Sequence, residues 1–310
     1  MSATDDGGLT SQRWSWLRIA GTVASLALLA WMLSKQDWQE LRGNVSGIPL
    51  PTLLVAFGLV FASQGCSSLR WWMLMRVQRI RASFLLAFRL YSAGLFASNF
   101  LPGTIGGDVI RIAGILPRSP DRVVGIASVV LDRAVGVTTM LLALPLSLAT
   151  FGPLIGPLLQ GASAAAFSPA GFVRRFQGAW RRLGDVLRPW LSRPQSLLGA
   201  LLASMFGVLS YVTCVWIVAR GLQIEVTPLD VAAVTGITYF LSQIPISINA
   251  LGIREAAMIA LYGQLGSTPE QAAALALITR ALVMGSTIPG AFWLPGLMAA
   301  ARSRPAREVL

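Results

Sequence analysis

The sequence predicts an all-α polytopic membrane protein. About six full transmembrane helices and two re-entrant broken-helix hairpins are expected, arranged as an inverted-topology repeat. Three observations lead there: a composition too apolar for a soluble domain, a Pro/Gly motif that occurs twice inside apolar sequence, and an uneven placement of arginine along the chain.

Of 310 residues, 55% are hydrophobic and only 12% are charged, and the mean hydropathy is +0.65. Soluble domains carry about a quarter charged residues, and several runs here approach or exceed the ~20 apolar residues that a spanning helix needs. Candidate spans are 16–33, 50–69, 123–145, 147–167, 196–219 and 271–298. The first run follows Arg13 and Arg18 and could be mistaken for a signal peptide. It has no small-residue cleavage site and is followed directly by Lys35-Gln-Asp-Trp-Gln-Glu, which fits an uncleaved span.

The net charge is +12, and Lys35 is the only lysine. This charge is explained by membrane topology, so no nucleic-acid partner is expected. With no histidine in the chain, histidine acid–base chemistry and histidine metal sites are excluded. Cys66 and Cys214 both lie in apolar runs and suggest neither a disulfide nor a metal cluster.

Arginine distribution places the loops. Residues 69–90 hold Arg70, Arg76, Arg79, Arg81 and Arg89 with no acid, so they are expected on the cytoplasmic side. The basic, amphipathic stretch 171–195 should lie along the anionic cytoplasmic surface, and both termini should also be cytoplasmic. Residues 34–49, 220–230 and 263–270 are near neutral or acidic and should face outward. Segment 84–118 then enters and leaves on the inside, and segment 229–265 does so on the outside. The expected division is a first membrane repeat over 1–145 and a second over 146–310, inserted with opposite topology.

The repeated motif lies within those two segments. The first copy is Asn99-Phe-Leu-Pro102-Gly103-Thr-Ile-Gly106-Gly107-Asp108-Val-Ile-Arg111; the second is Ser242-Gln-Ile-Pro245-Ile-Ser-Ile-Asn249-Ala-Leu-Gly252-Ile-Arg254-Glu255. Each runs nine positions from proline to arginine through a helix-breaking middle. A further arginine follows each copy, Arg133 and Arg280.

Proline removes a donor and glycine loosens a helix, so both copies should open the backbone at membrane depth. Freed N–H groups at the next half-helix, joined by an arginine, make a receptor for phosphate. Arg111 and Arg254 are the leading candidates for substrate contact, with Arg133, Arg280, Asn99 and Asn249 beside them. Pro102, Gly103, Gly106, Gly107, Pro245 and Gly252 would shape the site. Asp108, Asp132 and Glu255 would serve as counter-ions or proton carriers, with Asp132 pairing an arginine of the site.

Plainer alternatives exist. Arg111 could snorkel to the headgroups, and Arg254 could simply pair with Glu255 or another acid. Pro289-Gly290 reads as a kink or end of the last span. No metal site and no cofactor is implied, and no Walker motif is present.

At Asn99 to Arg111, Leu131-Asp-Arg133, Pro245 to Glu255 and Pro289-Gly290, the chain resembles the lysylphosphatidylglycerol synthase transmembrane-domain family of flippase-like membrane proteins. Asn249, Ala250 and Leu251 stand where that family's second motif usually has more glycine. No aminoacyl-transferring domain follows the membrane region, so synthesis of lysylphosphatidylglycerol is not expected. The resemblance implies the movement or handling of polar lipids.

The expectation is a translocase in a bacterial inner membrane. It would carry an anionic, phosphate-bearing lipid between leaflets through a midplane cavity lined by arginine, without being an enzyme. An intramembrane lipid-linked transferase and a non-transporting scaffold for envelope synthesis are the alternatives. The lipid, the direction, the energy source and the oligomeric state are not specified by the sequence.

Overall fold

The computed structural model describes residues 43, 47–99, 106–162, 188, 190, 192–243 and 250–302. The expected span 16–33, the site-shaping residues Pro102, Gly103 and Pro245, and the candidate ligand Asn249 lie outside the described residues. Most of the basic stretch 171–195 does too.

The described chain is helical: α1 (Leu50–Val77), α2 (Phe84–Ser98), α3 (Gly106–Ile115), a 3₁₀ turn at Leu116–Arg118, α4 (Arg122–Ala162), α5 (Pro194–Gly221), α6 (Pro228–Ser242), α7 (Ile253–Gln264) and α8 (Pro269–Arg302). Four of these, α1, α4, α5 and α8, are long and apolar enough to cross a bilayer. Their outward faces carry large apolar side chains such as Leu54, Val130, Leu142, Phe206 and Phe292, as suits helices solvated by lipid. The protein is an all-α polytopic membrane protein.

Three boundaries differ from the sequence expectation. The apolar run 50–69 continues through Arg70 to Val77 as one helix, because Trp71 to Met75 resume the apolar pattern after the arginine. The expected spans 123–145 and 147–167 meet within one unbroken helix, with Pro145 inside it. Pro289 and Pro295 likewise sit inside α8.

The helices fall into two sets of the same order: long, short, short, long. Helices α1 and α5 have 28 residues each, α2 and α6 have 15 each, and α3 and α7 have 10 and 12. The corners joining α1 to α2 and α5 to α6 are built alike. In one, the Trp72 indole donates to the Ala82 carbonyl at 3.1 Å; in the other, Trp216 donates to Val226 at 3.1 Å. Arg79 and Gln223 both turn through positive φ, 55° and 60°. Ile80 N–H returns to the Met75 carbonyl, and Ile224 N–H returns to that of Ala219. Ser83 then caps α2 and Thr227 caps α6 through side-chain oxygens.

Packing between the sets is reciprocal. Helices α1 and α5 lie against each other most extensively, α2 packs on α8, and α6 packs on α4. Close approach is made by small residues. A Cβ on Gly94 of α2 would stand 2.7 Å from the Gly107 carbonyl of α3, so these two helices meet backbone to backbone.

One tryptophan of the basic stretch is not at a lipid surface. Trp190 is buried with Leu74, Val77, Ala127 and Ala200, and its indole donates to the Leu74 carbonyl at 2.8 Å.

Candidate functional site

Helix α3 begins with Gly106-Gly107-Asp108 and carries Arg111 one turn later. That i, i+3 spacing puts the carboxylate and guanidinium on one face, where Asp108 Oδ1 accepts from Arg111 Nη1 at 3.2 Å. On α4, the adjacent Asp132 and Arg133 diverge by about 100° around the helix axis and serve different partners. Asp132 Oδ2 accepts from Arg111 Nη2 at 2.6 Å, and Oδ1 accepts from Arg70 Nε at 2.7 Å. Arg133 Nε donates to the other oxygen of Asp108. Arg70 also donates to Ser204 Oγ of α5 at 2.8 Å.

The result is an alternating chain of charge, Arg70–Asp132–Arg111–Asp108–Arg133. Asp132 is 1% exposed and Arg111 is 5% exposed, so both need this pairing to exist at depth. The Arg111 guanidinium is also stacked, 4.2 Å from the Trp71 ring centre and 4.7 Å from that of Tyr91. This is not the geometry of a snorkelling side chain.

The second motif gives a smaller counterpart. Gly252 has φ of +87° at the start of α7, a conformation that glycine adopts without a Cβ penalty. Glu255 accepts the Gly252 N–H at 2.7 Å with Oε2, while Oε1 lies 3.5 Å from Arg280 Nη1. Arg254 donates to the Tyr211 hydroxyl of α5 rather than to Glu255. In both sets, therefore, the arginine of the following long helix reaches back to the first-turn acid of the short helix: Arg133 to Asp108, and Arg280 to Glu255.

Two cavities of about 260 and 310 Å³ adjoin these clusters. The first is lined by Arg70, Gly107, Asp108, Arg111, Asp132 and Arg133, and the second by Arg254 and Arg280. Both use Ser63, Ser67, Tyr91, Tyr211 and Tyr239 as walls, together with Leu95 and Met140, so they are neighbours across a rim rich in hydroxyl groups. Arg111 and Arg254 thus face adjoining spaces.

Asn99, at the end of α2, turns to α8 instead: its amide donates to Thr287 Oγ1 at 3.1 Å. Among the expected site-shaping residues, Gly106 and Gly107 open α3 and Gly252 caps α7. Gly290, read from sequence as a kink or end, is a contact between α8 and the α2 backbone.

Sequence reasoning missed Arg70, Ser204, Tyr91, Tyr211 and Tyr239. Arg70 was assigned to a basic cytoplasmic loop; it is 8% exposed inside α1. The signal was present in the five apolar residues that follow it.

The stacked, doubly paired Arg111 makes a sharp prediction. Arg111→Lys keeps the charge but loses the planar fork. It should lower stability by about 2–3 kcal/mol, the scale of a lost charge-assisted hydrogen bond, in thermal unfolding of the detergent-purified protein. Wild-type stability in that variant would show that a point charge suffices.

Comparison with known proteins adds one finding. The model of the family described as "Lysylphosphatidylglycerol synthase TM region" matches residues 18–290. No curated protein and no solved structure matches the chain. The family model covers most of the chain, including both motifs and all the charged residues of the two cavities. The chain belongs to the lysylphosphatidylglycerol synthase TM region family, and is a multi-pass membrane protein tied to lipid handling.

Proposed function

We propose that this protein is a flippase-like lipid translocase that moves an anionic, phosphate-bearing polar lipid between leaflets. One observation carries the reading: guanidinium groups from both helix sets line two adjoining cavities, Arg111 and Arg133 on one side, Arg254 and Arg280 on the other. The headgroup would enter this space while its tails stay in lipid. Arg133, whose side chain is 36% exposed, and the half-buried Arg254 would touch the phosphate. Arg111 would hold Asp108 and Asp132 in place.

The like-built corners and reciprocal packing support two repeats that rock against each other around a central site. In that reading α2–α3 and α6–α7 are the re-entrant hairpins, inserted from opposite faces as the arginine distribution predicts, with both termini cytoplasmic in a bacterial inner membrane.

The carboxylates argue against the transferase alternative and against proton carriage. A general base or proton carrier needs a carboxylate free to exchange its proton. Asp108, Asp132 and Glu255 are each held by arginine.

The test is reconstitution into liposomes carrying tail-labelled phosphatidylglycerol in one leaflet. Arg254→Ala is expected to slow leaflet exchange by about tenfold or more, the effect of losing one charge-assisted contact, without loss of fold. Near-normal exchange in that variant would remove Arg254 from the site. Absence of exchange by the wild-type protein with every anionic lipid tried would sink the translocase.

A further inference from the structure

The charge balance around the two cavities narrows the headgroup. Arg70, Arg111, Arg133, Arg254 and Arg280 contribute five positive charges, and Asp108, Asp132 and Glu255 contribute three negative ones. The described side chains therefore leave an excess of two positive charges at membrane depth. The excess is divided: one in the cluster of Arg70, Arg111, Arg133, Asp108 and Asp132, and one in the cluster of Arg254, Arg280 and Glu255.

The carboxylates offer little to a cation. Both oxygens of Asp132 and both of Asp108 are taken by arginine. One oxygen of Glu255 accepts the Gly252 N–H and the other faces Arg280. The rim shared by the two cavities carries five hydroxyl groups, Ser63, Ser67, Tyr91, Tyr211 and Tyr239, beside the apolar Leu95 and Met140; the hydroxyls are neutral donors suited to phosphoryl oxygens. Net charge inside a bilayer is costly, so the occupant that best relieves it brings at least two negative charges.

We infer that the preferred substrate headgroup carries at least two negative charges: a lipid phosphomonoester or a lipid diphosphate, rather than a singly charged phosphodiester. This rests on the anionic-lipid reading above and goes beyond it by setting a minimum headgroup charge. The division of the excess between adjoining cavities suits a diphosphate, whose two phosphoryl groups can each meet one cluster. A phosphomonoester would place both charges in one cavity.

The experiment is a binding titration of the purified protein in neutral phosphatidylcholine nanodiscs at pH 8. Three probes are compared: phosphatidylglycerol, phosphatidic acid and a long-chain isoprenyl diphosphate. The wild type should bind one or both of the multiply charged lipids about tenfold or more tighter than phosphatidylglycerol, the scale of one added charge-assisted hydrogen bond. Preference for the diphosphate over phosphatidic acid would assign one phosphoryl group to each cavity; the reverse would assign a single phosphate.

Arg254→Gln removes one charge and should bring the three lipids within about threefold of one another, as the added contact is lost. Arg254→Lys keeps the charge and should keep the order, which separates charge matching from damage to the fold. Equal wild-type affinity for phosphatidylglycerol and both multiply charged lipids would overturn the inference while leaving anionic-lipid capture intact. Saturable binding of none of the three would overturn both.

Discussion

Asp132→Ala is expected to destabilise the protein by about 3–5 kcal/mol, the cost of removing one partner from a buried ion pair. This carboxylate joins three helices. It accepts from Arg70 of α1 at 2.7 Å and from Arg111 of α3 at 2.6 Å while standing on α4. Without it, two guanidinium groups remain buried in a membrane interior with too few acceptors. Thermal unfolding in detergent reads the loss directly. The double variant Asp132→Ala/Arg70→Met removes one orphaned charge and should recover part of it, because the pair rather than either charge alone is what the interior tolerates. A single variant as stable as wild type would mean that water reaches this network freely.

Gly290→Val should also destabilise the protein, for a purely steric reason. A Cβ at Gly290 of α8 would overlap the Ser92 carbonyl oxygen of α2, and would stand 2.5 Å from its carbon and 2.8 Å from the Ala93 nitrogen. These are backbone atoms, so no rotamer change relieves the clash and the two helices must separate. Overpacking of this kind costs about 1–3 kcal/mol and sometimes more. The control is Gly58→Ala on α1, where a Cβ meets nothing within 4 Å; helix propensity should make it stabilising by up to about 1 kcal/mol. If the two substitutions shifted the melting temperature alike, close approach of α2 and α8 would not be holding the fold.

How much of this was legible beforehand differs by residue. The membrane class followed from composition; of the glycines expected to shape the site, Gly106 and Gly107 stand at the start of α3 and Gly252 at that of α7, while Pro102, Gly103 and Pro245 lie outside the described residues. Arg133 and Arg280 were found by their place after each motif, and both proved to reach the short helix before them. Arg70 was hidden because its partner Asp132 lies 62 residues away. Local charge made Arg70 look like a loop residue. The tyrosines of the rim were invisible for a related reason: Tyr91, Tyr211 and Tyr239 sit on three helices, and only tertiary packing brings them together. The partner of Arg254 was misjudged in one alternative. Sequence adjacency suggested Glu255, but neighbouring residues on a helix point in different directions, and Glu255 is occupied at the helix start.

The reciprocal seating of α2 on α8 and α6 on α4 has a consequence for biogenesis. When the ribosome has completed α4, the face of α2 that packs on α8 is still uncovered, since α8 has not yet been made. The nascent first portion must wait in lipid, its buried carboxylates already paired with arginines of α1, α3 and α4, until the second portion emerges to cover it. The internal pairing of Asp132 and Asp108 with arginine thus acts as a provisional seal that keeps an unfinished polypeptide insertable.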